Sequence, residues 1–149
     1  MPALRPIAAI LAMACMLLSA PAPAEARRSP SPMVDQINQV RKAHGVRPAR
    51  YSRSLSASSS RFARYLARSN QFAHRPPIRA SRRFVKLGEI LALDRGGEVR
   101  RSETLAAWLS SPSHRAVLLS RAFRYVGAAR VHGRYGENPV LVWTVQFGR

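Results

Sequence analysis

The chain has 149 residues and carries 25 Lys and Arg against 7 Asp and Glu, a formal net charge of +18. Beyond a leader, about 120 residues remain, which allows one domain with its own core and excludes two. The cationic excess predicts attraction to polyanions, whether nucleic acid, anionic head groups or acidic wall polymers, and says nothing about fold.

The first 26 residues have the layout of a secretory signal peptide. Arg5 supplies the positive start, and Ile7 to Ala20 carries no charge. Ala22-Pro23-Ala24 and Ala24-Glu25-Ala26 then offer small-x-small cleavage sites. The apolar stretch falls short of the roughly 20 residues that a spanning helix needs. An uncleaved membrane anchor is the weaker alternative, and secretion is expected. The single cysteine, Cys15, lies inside the leader. The exported domain is therefore expected to hold together by its core, without disulfides.

Residues 27–32 (RRSPSP) read as a short basic linker, and residues 33–149 as the domain. Ser31-Pro32 is a helix-start signature, with Ser as cap and Pro at the first helical position. Met33, Val34, Ile37 and Val40 follow at helical spacing, and Gly45 stops the run, so a helix is predicted over 32–44. A second helix is predicted over 54–69. Its inner stripe is Leu55, Ser59, Phe62 and Leu66 with Ala63 beside it, and its water-facing stripe is Arg61, Arg64 and Arg68. Asn70 is the expected terminator.

Residues 72–86 read as a loop around Pro76-Pro77, with Arg79, Arg82 and Arg83 as polar filler. Leu87 to Leu93 is apolar around Glu89, and residues 94–98 (DRGGE) read as a turn. A third helix is predicted over 103–109 with Ser102 as cap and Leu105, Trp108 and Leu109 inward. Ser111-Pro112 opens a fourth helix through about Leu119, with Val117, Leu118 and Phe123 packing inward. The period then changes to two. Tyr125 to Val131 and Val140 to Phe147 read as a hairpin whose loop is 132–139. In the last strand Leu141, Trp143, Val145 and Phe147 share one face, and Val140, Val142, Thr144 and Gln146 the other. Helices first and a sheet last predict an α+β sandwich.

Three residues stand where side chains tend to project into clefts. His74 follows a helix end and precedes the Pro-Pro loop; Glu89 follows Gly88 in an apolar stretch; His114 lies in the first turn of a helix. A helix N-terminus disfavours an imidazolium, so His114 is biased towards the neutral form that binds metal or accepts a proton. A carboxylate among apolar neighbours needs a partner, such as a histidine or a metal ion. Two imidazoles and a carboxylate would suit a divalent ion such as zinc. The spacing of the three matches no local metal motif, so by itself it leaves open both a shared site and three unrelated caps. His44, before a helix-stopping glycine, and His132, in the predicted hairpin loop, read as structural or solvent-facing.

Taken in order, FAH at 72–74, GEILA at 88–92, the Trp108 helix, SPSHR at 111–115, FRYVGAA at 123–129 and VWTVQFG at 142–148 resemble the CAP superfamily in its short bacterial form. That superfamily includes cysteine-rich secretory, antigen 5 and pathogenesis-related proteins. The resemblance covers residues 33 to 148 and implies a three-layer α-β-α sandwich with a central antiparallel sheet and a cleft. It matches His74 and His114 to the two cleft histidines, with Glu89 as the first of two glutamates that can hold a divalent metal. The second glutamate has no counterpart, because Trp108 is followed by Leu109-Ser110-Ser111. Ile90 stands where the family usually has asparagine. Trp108 and Ser111 are further candidate binding residues beside this cleft.

What the resemblance implies is a secreted cleft protein that binds a lipid, a peptide or a cell-envelope ligand. A metal-assisted hydrolase using His74, Glu89 and His114 is one alternative, and an electrostatic binder of anionic surfaces or polymers another. Nucleic acid is not the expected partner of an exported chain, and a monomer is expected.

Overall fold

The computed structural model describes residues 29–80, 82–96 and 100–149. The leader and the first linker residues lie outside the described residues. Helix α1 (Pro32–Ala43) is followed by the short strand β1 (Arg50–Tyr51), helix α2 (Arg53–Ser69) and strand β2 (Leu87–Arg95). Helices α3 (Arg101–Ser110) and α4 (Pro112–Leu118) then precede strands β3 (Tyr125–Tyr135) and β4 (Asn138–Gly148).

The strands form one sheet in the order β1-β3-β4-β2. The long strands β3, β4 and β2 are antiparallel neighbours, whereas β1 runs parallel to β3 through Arg50↔Tyr125 and Tyr51↔Val126. The sheet is therefore mixed at one edge rather than wholly antiparallel, because the chain leaves α1 and runs alongside β3 in the same direction.

Strand β4 is central, and every residue from Val140 to Gly148 is buried. Its two faces feed two cores, as its alternating pattern requires. Leu141, Trp143, Val145 and Phe147 pack with Met33, Val34 and Ile37 of α1, Leu105 and Trp108 of α3 and Leu118 of α4. On the other face Val140 and Val142 join Leu91 of β2 and Ala63, Leu66 and Ala67 of α2. The result is three layers: α1, α3 and α4, then the sheet, then α2.

Helix α2 sits unusually close to β3. A Cβ placed on Gly127 would lie 2.1 Å from the backbone nitrogen of Ser56. The bare glycine is what lets helix backbone and strand backbone meet. Ser59 Oγ then donates to Gly127 O at 3.2 Å, so the contact is also hydrogen-bonded.

Several local expectations are corrected. Ser31 and Ser111 hold the positions before the helix-starting prolines, but neither side chain caps its helix. Ser52 does cap, accepting from the Leu55 N–H at 3.3 Å. Helix α3 begins before Ser102, because Glu103 and Thr104 already donate to Arg100 O. Asp94 and Arg95 belong to β2, paired with Leu141 and Val140, while residues 97 and 98 of the expected turn lie outside the described residues. The hairpin loop shrinks to Gly136-Glu137, with Gly136 at φ 60. The ladder continues past the apolar residues through His132↔Leu141, and its polar tip disguised that continuation.

Candidate functional site

Glu89 belongs to β2 and pairs in register with Gln146 of β4. Both side chains lie on the face that meets α2, as does Leu91 two residues on. The Glu89 side chain is only 3% exposed, and burial of a carboxylate demands hydrogen bonds. It has two. Gln146 Nε2 donates to Oε2 at 2.8 Å, and His74 Nδ1 lies 3.0 Å from Oε1. With Glu89 as a carboxylate, Nδ1 is the nitrogen that carries the proton, and Nε2 of His74 is left as an acceptor.

His74 comes from the loop after α2, and its side chain remains 53% exposed. His114, on the first turn of α4, is half-buried. Burial holds its pKa below the ordinary imidazole value, and the neighbouring His74 lowers it further. The helix N-terminus acts in the same direction. The structure therefore brings His74 against Glu89 and places His114 within electrostatic reach of His74.

The other expected residues fall elsewhere. Trp108 is 1% exposed and part of the core, where its indole N–H donates to Leu91 O of the edge strand at 2.8 Å. It positions α3 on β2 and does not reach a surface. Ser111 joins α3 to α4, its hydroxyl 3.4 Å from that of Ser113. His44 closes α1, with Nδ1 2.9 Å from Val40 O. His132 is exposed on β3, not in a loop.

A pocket of about 350 Å³ opens between α2 and residues 75–79. Glu89 and Gln146 line its deepest part. Phe62, Tyr65, Pro76, Pro77 and Ile78 make its apolar walls, and Arg61, Arg75 and Arg79 contribute positive charge. The Arg75 guanidinium lies 5.2 Å from the Tyr65 ring centre. Ser58 Oγ donates to Arg79 O at 2.6 Å and ties the loop to α2. Beyond Arg75 lies a smaller hollow of about 220 Å³, bordered by Tyr65, Gln71, Ala73 and His74.

Most of this pocket is not legible in the sequence. Gln146 was placed on the correct face but given no part in a site. Arg61 was expected only to meet water, and Arg79 to be filler. Arg83 is not filler either: it donates to Ser52 Oγ at 2.9 Å and lies 4.6 Å from the Phe84 ring centre. The signal in the sequence is Tyr65, an aromatic residue off the predicted inner stripe of the second helix and close to a Pro-Pro loop.

His74 and His114 would offer a metal two imidazoles, whereas a catalytic zinc uses three protein ligands and both Glu89 oxygens already accept a protein hydrogen bond. Among the described residues no group of three or more His, Cys, Asp or Glu is arranged to hold an ion.

The chain resembles proteins of known structure in its fold. An outer surface protein of Borrelia burgdorferi superposes with a TM-score of 0.67 at 20% identity, over 78% of this chain and 89% of that one. An extracellular SCP-domain protein from Bacillus anthracis gives 0.61 at 22% identity, over 78% of this chain but 39% of its own. Venom allergen-like protein 4 of Schistosoma mansoni gives 0.51 at 13% identity, over 78% and 84%. At these identities the likeness is one of fold alone. No curated protein matches the chain in sequence. Among the described residues no helix is long and apolar enough to cross a membrane. The family model of the cysteine-rich secretory proteins matches residues 34–147, nearly the whole described domain, and the chain belongs to that CAP family.

Proposed function

We propose that this protein is an exported binding module that takes a small amphipathic ligand with an acidic group, without turning it over. The observation that carries this reading is the pocket between α2 and residues 75–79. Its volume of about 350 Å³ falls in the range of small-molecule sites. Aromatic and proline walls suit an apolar body, and three arginines suit an anionic group. Fatty acids and the carboxyl ends of apolar peptides share that chemistry.

Glu89 serves as a brace in this reading. Its two hydrogen bonds connect β2 to β4 and to the loop that carries the pocket wall. A carboxylate so engaged is poorly placed to activate a water. Export rests on the leader and accords with a secretory family.

The test is calorimetric titration with a long-chain fatty acid, its methyl ester and an apolar peptide with a free or amidated carboxyl end. The free acids should bind at least about tenfold tighter than their neutral counterparts, from the lost charge-assisted hydrogen bonds. Arg75→Ser and Tyr65→Ser should each weaken binding. Equal binding of acid and ester, or binding indifferent to both substitutions, overturns the reading. Which free acid binds decides between lipid and peptide.

A further inference from the structure

The end of the sheet opposite the β3–β4 turn has a character of its own. Here the starts of β2 and β3, the end of β4 and the short β1 come together, as the pairings Leu87↔Gly148 and Arg50↔Tyr125 require. Arg47, Arg50, Arg82, Lys86, Arg121, Arg124 and Arg149 are exposed on these segments. Among the described residues the side-chain carboxylates lie elsewhere. Asp94 and Glu137 sit towards the far end of the strands, and Glu103 lies near Asp94. Asp35 is in the first turn of α1, whereas the last turn of that helix is the one that reaches this end. Glu89 is nearer but buried and committed to His74 and Gln146.

In the midst of these cations stands Val85, 85% exposed, the one large hydrophobic side chain exposed among the described residues. It is not on a loose loop. The Val85 N–H donates to Arg149 O at 2.8 Å and the Arg149 N–H to Lys86 O at 3.0 Å, which prolongs the sheet by a step. Phe84 turns inward beside Tyr125, their ring centres 5.7 Å apart, so the alternation of an extended chain sends Val85 outward.

We propose that this end of the molecule docks onto an anionic lipid surface, with Val85 entering the layer below the head groups and the surrounding cations meeting their phosphates. A soluble polyanion would use the cations but gains nothing from a fixed, exposed valine. A bilayer uses both, because apolar matter lies directly beneath its charged layer. The local excess of cations with no described side-chain carboxylate among them, rather than the net charge of the whole chain, sets the orientation. This surface is separate from the pocket and does not depend on what the pocket holds.

The experiment is co-sedimentation of the purified protein with phosphatidylcholine vesicles, with and without phosphatidylglycerol, alongside polyphosphate in solution. Binding is expected only when the anionic lipid is present. Arg82→Glu with Lys86→Glu should weaken it at least about tenfold, whereas Arg64→Glu with Arg68→Glu, the same charge change on the outer face of α2, should alter it less than about threefold. Val85→Ser, which leaves the charge intact, should weaken vesicle binding about fivefold and leave polyphosphate binding unchanged. Melting temperatures matching the unsubstituted protein establish that each variant is folded. Equal losses for the two charge-reversed pairs would reduce the effect to net charge and overturn the proposal. Vesicle binding indifferent to Val85→Ser would assign the surface to a soluble polyanion instead, and no binding to anionic vesicles would remove it altogether.

Discussion

Gln146 and Glu89 face one another across β4 and β2, and the Gln146 amide donates to the buried Glu89 carboxylate at 2.8 Å. The bond joins residues separated by 57 positions in the chain. It supplies half of what Glu89 requires to remain buried, and His74 supplies the rest from the loop beside the pocket.

Removing either partner should cost more than a surface contact would. Glu89→Ala leaves the Gln146 amide without its acceptor and His74 without its anchor. We expect a loss of about 2–3 kcal/mol in urea denaturation, and about 1–2 for Gln146→Leu. The double variant should fall short of the sum, since the two share one bond. Strict additivity would show that the pair is not coupled.

Arg41 is 0% exposed and has no carboxylate partner in its bonding set. Its guanidinium is held by carbonyls instead: Leu118 O at 2.7 Å, Ser120 O at 3.1 Å, Phe123 O at 3.3 Å and Arg47 O through two nitrogens. Burial, and then the nearby Arg124, push its pKa down from the ordinary guanidinium value. The planar fork gathers the end of α4, the segment that follows it and the turn after α1 onto α1. A lysine cannot span those acceptors, so Arg41→Lys should destabilise the fold by about 3 kcal/mol. Unchanged denaturation by Arg41→Lys would mean that the carbonyls find other donors.

The lowered pKa of His114 makes stability depend on pH in a definite direction. Burial and His74 disfavour the protonated form in the folded state, so the unfolded chain takes up the proton first. Stability from this source is intact above the unfolded imidazole value of about 6.5 and erodes as pH falls from there to the lower folded value. Because His114 is only half-buried, the effect is modest. His114→Gln should flatten the fall in melting temperature over this window, and a variant that melts with the same slope would refute the assignment.

Metal removal should change little. Glu89 is occupied by protein donors, so chelation by EDTA followed by dialysis is expected to leave the melting temperature unmoved, and added zinc to raise it no further. A zinc-dependent rise that His74→Ala abolishes would instead establish an ion shared by His74 and His114.

Gly127 sets the distance between α2 and β3. Gly127→Ala would drive a methyl group to within 2.1 Å of the Ser56 backbone nitrogen, so helix or strand backbone must shift. We expect a loss of about 3 kcal/mol, with the pocket deformed because its wall is α2. Full stability with an unaltered binding curve would disprove the close approach.

Local residue spacing accounts for the elements. Spacing near 3.6 placed α1 and α2 to within a residue or two, alternation placed both faces of β4, and the ordered motifs carried the family. Those signals are local: each is set by side chains a few positions apart, which share a helix stripe or a strand face. The ordered motifs also named His74, Glu89 and His114, but the pocket beside them depends on the tertiary structure. It turned Gln146 from a face residue into the partner of Glu89. It also set Arg61 and Arg75 at the pocket beside Phe62 and Tyr65, and put exposed Val85 among cations from four segments. Each of these relations depends on strand register and on which layer covers which face, and no window of neighbouring residues contains that information.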